Sequence, residues 1–183
     1  MDRRSFIAGG IGAAGVIALG GTGRALSGEH DLLRPPGGQD ETHFIGACVR
    51  CDRCRSVCPT GCIRPAALED GLVNMRTPHL NFELGYCDFC GKCVEVCSTG
   101  ALQAFDRTCQ IGYAHLDADS CARCEKCVDA CSYQAISWDD ANQLPVIDES
   151  KCNGCGQCEN ICPSASYGYY TGNTRRAIYV INS

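Results

Sequence analysis

The sequence predicts a small α+β fold of short strands, tight cysteine-bearing loops and helices of one to two turns. Three observations predict it. Cysteine makes up 18 of 183 residues, sixteen of those cysteines fall in four copies of one spacing, and the stretches between copies carry short apolar runs around turn-forming residues. Cysteine at close to a tenth of a chain marks a fold held by cross-links or metal centres as well as by apolar burial. With aromatic residues at 7% and 21 glycines, a conventional core is thin, and bound inorganic centres have to supply folding free energy. The net charge of -5 comes with no basic face and no interleaving of aromatic and basic residues. Nucleic-acid binding is set aside on that ground.

Residues 1–27 read as a targeting segment. Arg3 and Arg4 precede Ser5 and Phe6, and the run from Ile7 to Gly21 is uncharged and rich in Gly and Ala; this resembles a twin-arginine (Tat) signal. A retained anchor is the rival reading, but the run is shorter than the roughly 20 residues that span a bilayer and is diluted by glycine. Ala25-Leu26-Ser27 supplies a small-residue cleavage site. Gly10, Gly12 and Gly15 match the dinucleotide fingerprint, yet no strand precedes them and no acidic residue follows at the required distance, so they are signal composition. Residues 28–46 read as a linker, 47–170 as the repeat domain and 171–183 as a closing strand.

The four copies are Cys48, Cys51, Cys54, Cys58; Cys87, Cys90, Cys93, Cys97; Cys121, Cys124, Cys127, Cys131; and Cys152, Cys155, Cys158, Cys162. Each reads C-x-x-C-x-x-C-x-x-x-C. Three thiolates at that spacing wrap one face of a cubane while backbone amides point at its sulfides. The fourth, expected at the start of a short helix, faces away and ligates a neighbouring cluster. The spacing therefore predicts four 4Fe-4S clusters on sixteen cysteines. A disulfide framework needs no fixed two-two-three spacing. Structural zinc uses two separated C-x-x-C pairs and leaves the third cysteine of each copy unexplained. Covalent haem is excluded because no C-x-x-C here is followed by His.

Four residues after each final cysteine stand Cys62, Ala101, Ala135 and Ser166, and one further on Ile63, Leu102, Ile136 and Tyr167. The slot takes a small residue and the next an apolar one, so Cys62 reads as a buried filler. Cys109 has no counterpart in the other copies, and its role is open. Between copies, Ala135 to Trp138, a turn at Asp139 to Gln143, and Leu144 to Asp148 read as strand, turn, strand.

These blocks make the chain resemble the bacterial two-cluster ferredoxin unit, used twice. Leu33-Arg34-Pro35-Pro36-Gly37, Phe44, Ala47-Cys48-Val49-Arg50-Cys51, Thr77-Pro78 and Cys97-Ser98-Thr99-Gly100-Ala101-Leu102 are similar to the NapG/MauM group of ferredoxin-type periplasmic proteins. The resemblance implies a relay outside the cytoplasmic membrane, in the periplasm or on the membrane's outer face. It would take electrons from a NapH-like membrane quinol dehydrogenase and pass them to a terminal reductase or its cytochrome. Export by the Tat route fits, since it carries a protein already folded around clusters built in the reducing cytoplasm.

The units can be tandem or nested. Two details favour nesting, with motif I paired to IV and II to III: the first and last copies end in Cys-Pro (Cys58-Pro59, Cys162-Pro163) and the middle two in Cys-Ser (Cys97-Ser98, Cys131-Ser132), and the longest connection, 59 to 86, separates the first two copies. Nesting puts Cys162 with Cys48, Cys51 and Cys54, and Cys58 with Cys152, Cys155 and Cys158. It puts Cys131 with Cys87, Cys90 and Cys93, and Cys97 with Cys121, Cys124 and Cys127.

Arg50, Arg53 and Arg55 crowd the first copy and read as a solvated loop surface. His30, His43, His79 and His115 fall in no ligand or nucleophile pattern, and no catalytic residue or small-molecule substrate site is expected. The expected role is a non-catalytic electron carrier. The rival is a permanent iron-sulfur subunit of a molybdopterin oxidoreductase, and a cluster-bearing maturation factor comes third.

Overall fold

The computed structural model describes residues 32–164 and 176–182. The Tat-like segment, His30, Ser166 and the Tyr167 to Tyr170 run lie outside the described residues.

A cysteine loop runs into a short helix in every copy. After α1 (Glu41–Ala47) come α2 (Arg53–Val57), α3 (Lys92–Glu95), α4 (Lys126–Ala130) and α5 (Gln157–Ile161). The third cysteine of each copy is the second residue of its helix. The fourth lies at or just past the helix end, with Cys58, Cys131 and Cys162 as C-caps. This corrects the expected place of the fourth cysteine at a helix start. Four residues are about one helical turn, so the C-x-x-x-C step carries the chain from one end of the helix to the other.

The strands are β1 (Ile63–Pro65), β2 (Pro78–Leu80), β3 (Tyr113–Leu116), β4 (Ile136–Asp139), β5 (Leu144–Ile147) and β6 (Ile178–Ile181). They pair antiparallel as three two-stranded ribbons, β1 with β2, β3 with β6 and β4 with β5. The last is the hairpin read from sequence, with Ile136 opposite Ile147 and Asp139 opposite Leu144. Its turn is held by Asp139, whose Oδ1 accepts the Ala141 N–H at 2.9 Å. β6 closes on β3, Tyr113 opposite Ile181 and Leu116 opposite Ile178. A two-stranded ribbon is marginal alone, so each leans on apolar residues beside the cysteines. One core gathers Phe44, Ile63, Leu80, Phe82, Phe89 and Ile111; a smaller one gathers Ala114, Ile136, Cys158 and Ile178. The expected slot is filled: Cys62, Ala101 and Ala135 are 1–2% exposed, and Ile63, Leu102 and Ile136 after them are buried.

Helix α2 packs on α3, and α4 on α5. The copies are therefore paired in sequence, I with II and III with IV, and the nested expectation is corrected. The long first connection does not lead away to build another unit. Its 28 residues are taken up by β1, by a loop at Ala66–Arg76 and by β2 returning antiparallel to β1. Cys-Pro against Cys-Ser thus carries no pairing information.

The chain divides into two compact units. The larger, Asp31–Pro65 with Thr77–Ser183, carries every cysteine. The other, among the described residues, comprises Ala66–Arg76. Within Ala66–Arg76 the Arg76 N–H closes on the Ala66 carbonyl at 2.8 Å, and Leu68, Leu72, Val73 and Met75 are exposed.

Residues 32–46, read from sequence as part of a linker, form a strap on the larger unit. Arg34 is 3% exposed. Its Nε and Nη2 donate to the two Glu41 carboxylate oxygens at 2.8 and 2.5 Å. Its Nη1 donates to Thr77 Oγ1 at 2.8 Å and to the Pro78 carbonyl at 3.1 Å, and the guanidinium lies 4.7 Å from the Phe44 ring centroid. The strings Leu33 to Gly37, Phe44 and Thr77-Pro78 are thus one contact. Gly37, at φ +84°, lies where a Cβ would stand 2.0 Å from the Gln103 carbonyl oxygen. Replacing the buried Arg34 by Met, which keeps the apolar stem and loses every hydrogen bond, is expected to cost about 2 kcal/mol. That should appear in thermal unfolding as a Tm lowered by about 4–8 °C for a chain of this size.

Candidate metal centres

In all four copies the residues flanking the second cysteine have left-handed backbone: Arg50 and Asp52, Phe89 and Gly91, Arg123 and Glu125, Gly154 and Gly156. Five of these eight are not glycine, and each costs roughly 1–2 kcal/mol in that conformation. Such strain persists only where the surroundings fix it. Turns of this kind aim backbone N–H groups into a concave face suited to anions. N–H groups of Arg123, Ala114 and Leu102 lie 3.4 Å from the sulfurs of Cys121, Cys152 and Cys97, and that of Ala135 lies 3.2 Å from Cys131.

The thiols ring hollows. Cys121, Cys124, Cys127 and Cys162 line one, walled by Ile178 and Pro163. Cys87, Cys90, Cys93 and Cys58 line another, walled by Phe89 and Leu80. In each, three thiols of one copy meet the last thiol of its partner copy. Cys131 acts on Cys155 through its charge, the mirror of Cys162 beside Cys127. All eighteen cysteines are free thiols. Among the described residues no three His, Cys, Asp or Glu side chains close to the spacing of a single ion.

Burial and neighbouring thiolates raise the thiols. Burial, with Cys48 and Cys51 adding, pushes Cys54 up to about 11. Burial, then Cys54 and Cys90, pushes Cys93 to about 12; burial, then Cys121, pushes Cys127 to about 11. Cys158 is raised by burial and by Cys155, Cys152 and Cys127. Such thiols ionise together only around a cationic centre. Burial also raises Cys97 and Cys162, but hydrogen-bond donors outweigh it and both fall below the ordinary thiol value: backbone N–H groups with Thr99 at Cys97, and Ser164 with backbone N–H groups at Cys162. Asn153 Nδ2, in the loop between Cys152 and Cys155, is buried with no hydrogen-bond partner, a donor of the kind a cluster sulfide accepts. The donor set thus fits an iron-sulfur group.

The description "4Fe-4S dicluster domain" matches residues 47–101 and 120–166, together more than half of the chain. The chain belongs to this family. Each match spans two consecutive cysteine copies, the pairing seen in the helix packing. The chain is also 38% identical over 73 residues to the methylamine utilization ferredoxin-type protein MauM of Methylorubrum extorquens, covering 37% of this chain and 33% of that protein. It is 41% identical over 76 residues to the ferredoxin-type protein NapG of Escherichia coli, covering 38% and 32%, and the same holds for NapG of Shigella flexneri. The chain thus spans about a third of the length of these relatives. As a dicluster ferredoxin-type protein it is an iron-sulfur chain, and electron carriage is the role that goes with the family.

The four histidines stay outside both hollows where described. His43 Nε2 lies 3.0 Å from the Gly100 carbonyl oxygen, and the His115 ring stacks at 5.2 Å on Tyr179. Arg50, Arg53 and Arg55 are exposed, and Arg55 pairs locally with Asp52. Two features went unread in the sequence. One is the paired left-handed positions, signalled by Gly91, Gly154 and Gly156. The other is that Cys62 Sγ lies 3.7 Å from Cys58 Sγ; this contact is the foremost cause that pushes Cys58 up to about 12, burial adding to it. At Gly156, with φ +78°, a Cβ would stand 2.2 Å from the Phe82 ring. Gly156→Ala is expected to lower both the melting temperature and the iron bound per chain, as read by unfolding and metal analysis. Gly46→Ala, where a Cβ meets nothing within 4 Å, should change neither.

Proposed function

We propose that the sixteen repeat cysteines hold four 4Fe-4S clusters and that the protein relays single electrons between a donor and an acceptor. The observation that carries this is the hollow ringed by three thiols of one copy and the last thiol of its neighbour. On this reading the second site is Cys87, Cys90 and Cys93 with Cys58, and by the same pairing the first is Cys48, Cys51 and Cys54 with Cys97. The third is Cys121, Cys124 and Cys127 with Cys162, and the fourth is Cys152, Cys155 and Cys158 with Cys131. Each cluster, when bound, takes up and releases one electron. The chain's own residues hold the sites close together, exclude water through Phe89, Ile63, Leu102, Ile136 and Ile178, and aim N–H groups at sulfur, which tunes the potentials.

Similarity to MauM and NapG, with Arg3 and Arg4 ahead of an uncharged run, supports export by the Tat route to the periplasm or the outer face of the cytoplasmic membrane. It also supports a NapH-like membrane quinol dehydrogenase as donor and a terminal reductase or its cytochrome as acceptor. Among the described residues no helix is long and apolar enough to cross a membrane.

Anaerobically purified protein is expected to carry about sixteen irons, four for each cysteine quartet, with matching sulfide. Cys54→Ala should lower that count and Cys62→Ala should leave it unchanged. Zinc in place of iron, or a colourless protein with sulfurs in disulfide bonds, would reject the proposal.

A further inference from the structure

Within each pair the contact runs through the helices bearing the third cysteines: α2 with Cys54 packs on α3 with Cys93, and α4 with Cys127 packs on α5 with Cys158. These contacts join the first site to the second and the third to the fourth.

The junction between the pairs has one cysteine-to-cysteine bond. The Cys87 N–H donates to the Cys155 carbonyl at 2.8 Å, linking a residue of the second site to one of the fourth. Other bonds fix the same seam. Ile111 N–H reaches the Asn153 carbonyl at 3.0 Å, Gln110 Nε2 the Cys152 carbonyl at 2.8 Å, and Asn160 Nδ2 the Phe82 carbonyl at 2.9 Å. Phe82, ahead of the second copy, packs on Gly156 of the fourth so closely that no side chain fits there.

Exposure divides the sites in the same way. Of the eighteen cysteines only Cys51 and Cys124 are exposed. Around Cys51, Val49, Arg50 and Arg53 are exposed, and around Cys124 every residue from 122 to 126 is. In the second and fourth copies Phe89, Cys93, Asn153 and Cys158 are all buried.

We propose that the sites form one row in the order first, second, fourth, third, with electrons arriving at and leaving from the two ends, at the loops of Cys51 and Cys124. The inference rests on the reading of the quartets as cluster sites. A one-electron donor outside the protein is oxidised at one end, each step in the row oxidises one site and reduces the next, and a one-electron acceptor is reduced at the other end. No bond is made and no proton need move. The Cys87–Cys155 hydrogen bond shortens the through-bond path at the middle step, where tunnelling between the pairs would otherwise cross a gap.

The experiment uses the full four-cluster protein. In reduced protein a soluble dysprosium chelate speeds the spin relaxation of clusters near solvent. Cys51→Ser, Cys90→Ser, Cys124→Ser and Cys155→Ser each alter one EPR signal and so assign it. The expected result is a several-fold larger relaxation effect on the signals assigned by Cys51→Ser and Cys124→Ser than on those assigned by Cys90→Ser and Cys155→Ser. A large effect at the Cys155 site with a small one at the Cys124 site would overturn the order. Should a serine variant fail to fold, the wild-type protein still decides the exposure pattern, since two accessible and two shielded signals are expected and any other division counts against the row. Magnetic coupling between the halves gives a second reading: it should vanish when Cys152 and Cys155 are both changed to Ala and survive when Cys121 and Cys124 are. The opposite pattern would overturn the row. Iron analysis of the same samples separates the failures. Full iron with the wrong pattern sinks only the order, whereas absent iron sinks the cluster reading beneath it.

Discussion

Thiolates brought together in a partly buried hollow repel one another, and this structure is arranged around that repulsion. Burial and neighbouring sulfur charge push Cys54, Cys93 and Cys127 well above the ordinary thiol value, so the ionised quartets are stable only with positive charge among them. The thin cores and two-stranded ribbons follow from it. Apolar residues here wall the hollows, and a group bound there would supply much of the energy that a larger core would otherwise provide. The left-handed residues on either side of each second cysteine belong to the same balance. At Arg123 the left-handed residue turns its own N–H toward the sulfur of Cys121.

Much of this was legible in the sequence, because the spacing of the cysteines is itself geometric. The two-two-three pattern placed the loops, the helices and the thiols, and alternating apolar and turn residues placed the β4–β5 hairpin. Pairing is not legible in those signals for a physical reason. Cys-Pro and Cys-Ser reflect how the chain leaves a helix, and a long connection can be spent on a local excursion such as Ala66–Arg76. The fourth cysteine lies at the helix end and not at its start because the C-x-x-x-C step is itself about one turn of helix. The Arg34 strap was visible only as a string shared with a known group, since a guanidinium bonded to residues 43 and 44 positions away leaves no periodic trace.

Cys62 shows how a correct local reading can be incomplete. Its slot is the small-residue position that Ala101 and Ala135 fill in other copies, and it is as buried as they are. Its sulfur nonetheless lies against Cys58, and Thr60 Oγ1 donates to it at 3.5 Å. Ala101 and Ala135 have no atom there, so the second site has a sulfur neighbour that the slot does not provide in those copies.

Pairing in sequence order has a bearing on how the protein is made. Every cysteine of the first pair precedes residue 98, so a ribosome has delivered that half in full while the other is still being threaded out. The second half closes later, because β3 pairs with β6, more than 60 residues further along. Biogenesis is thereby split into a part whose cysteines are all delivered early and a part that waits for β6.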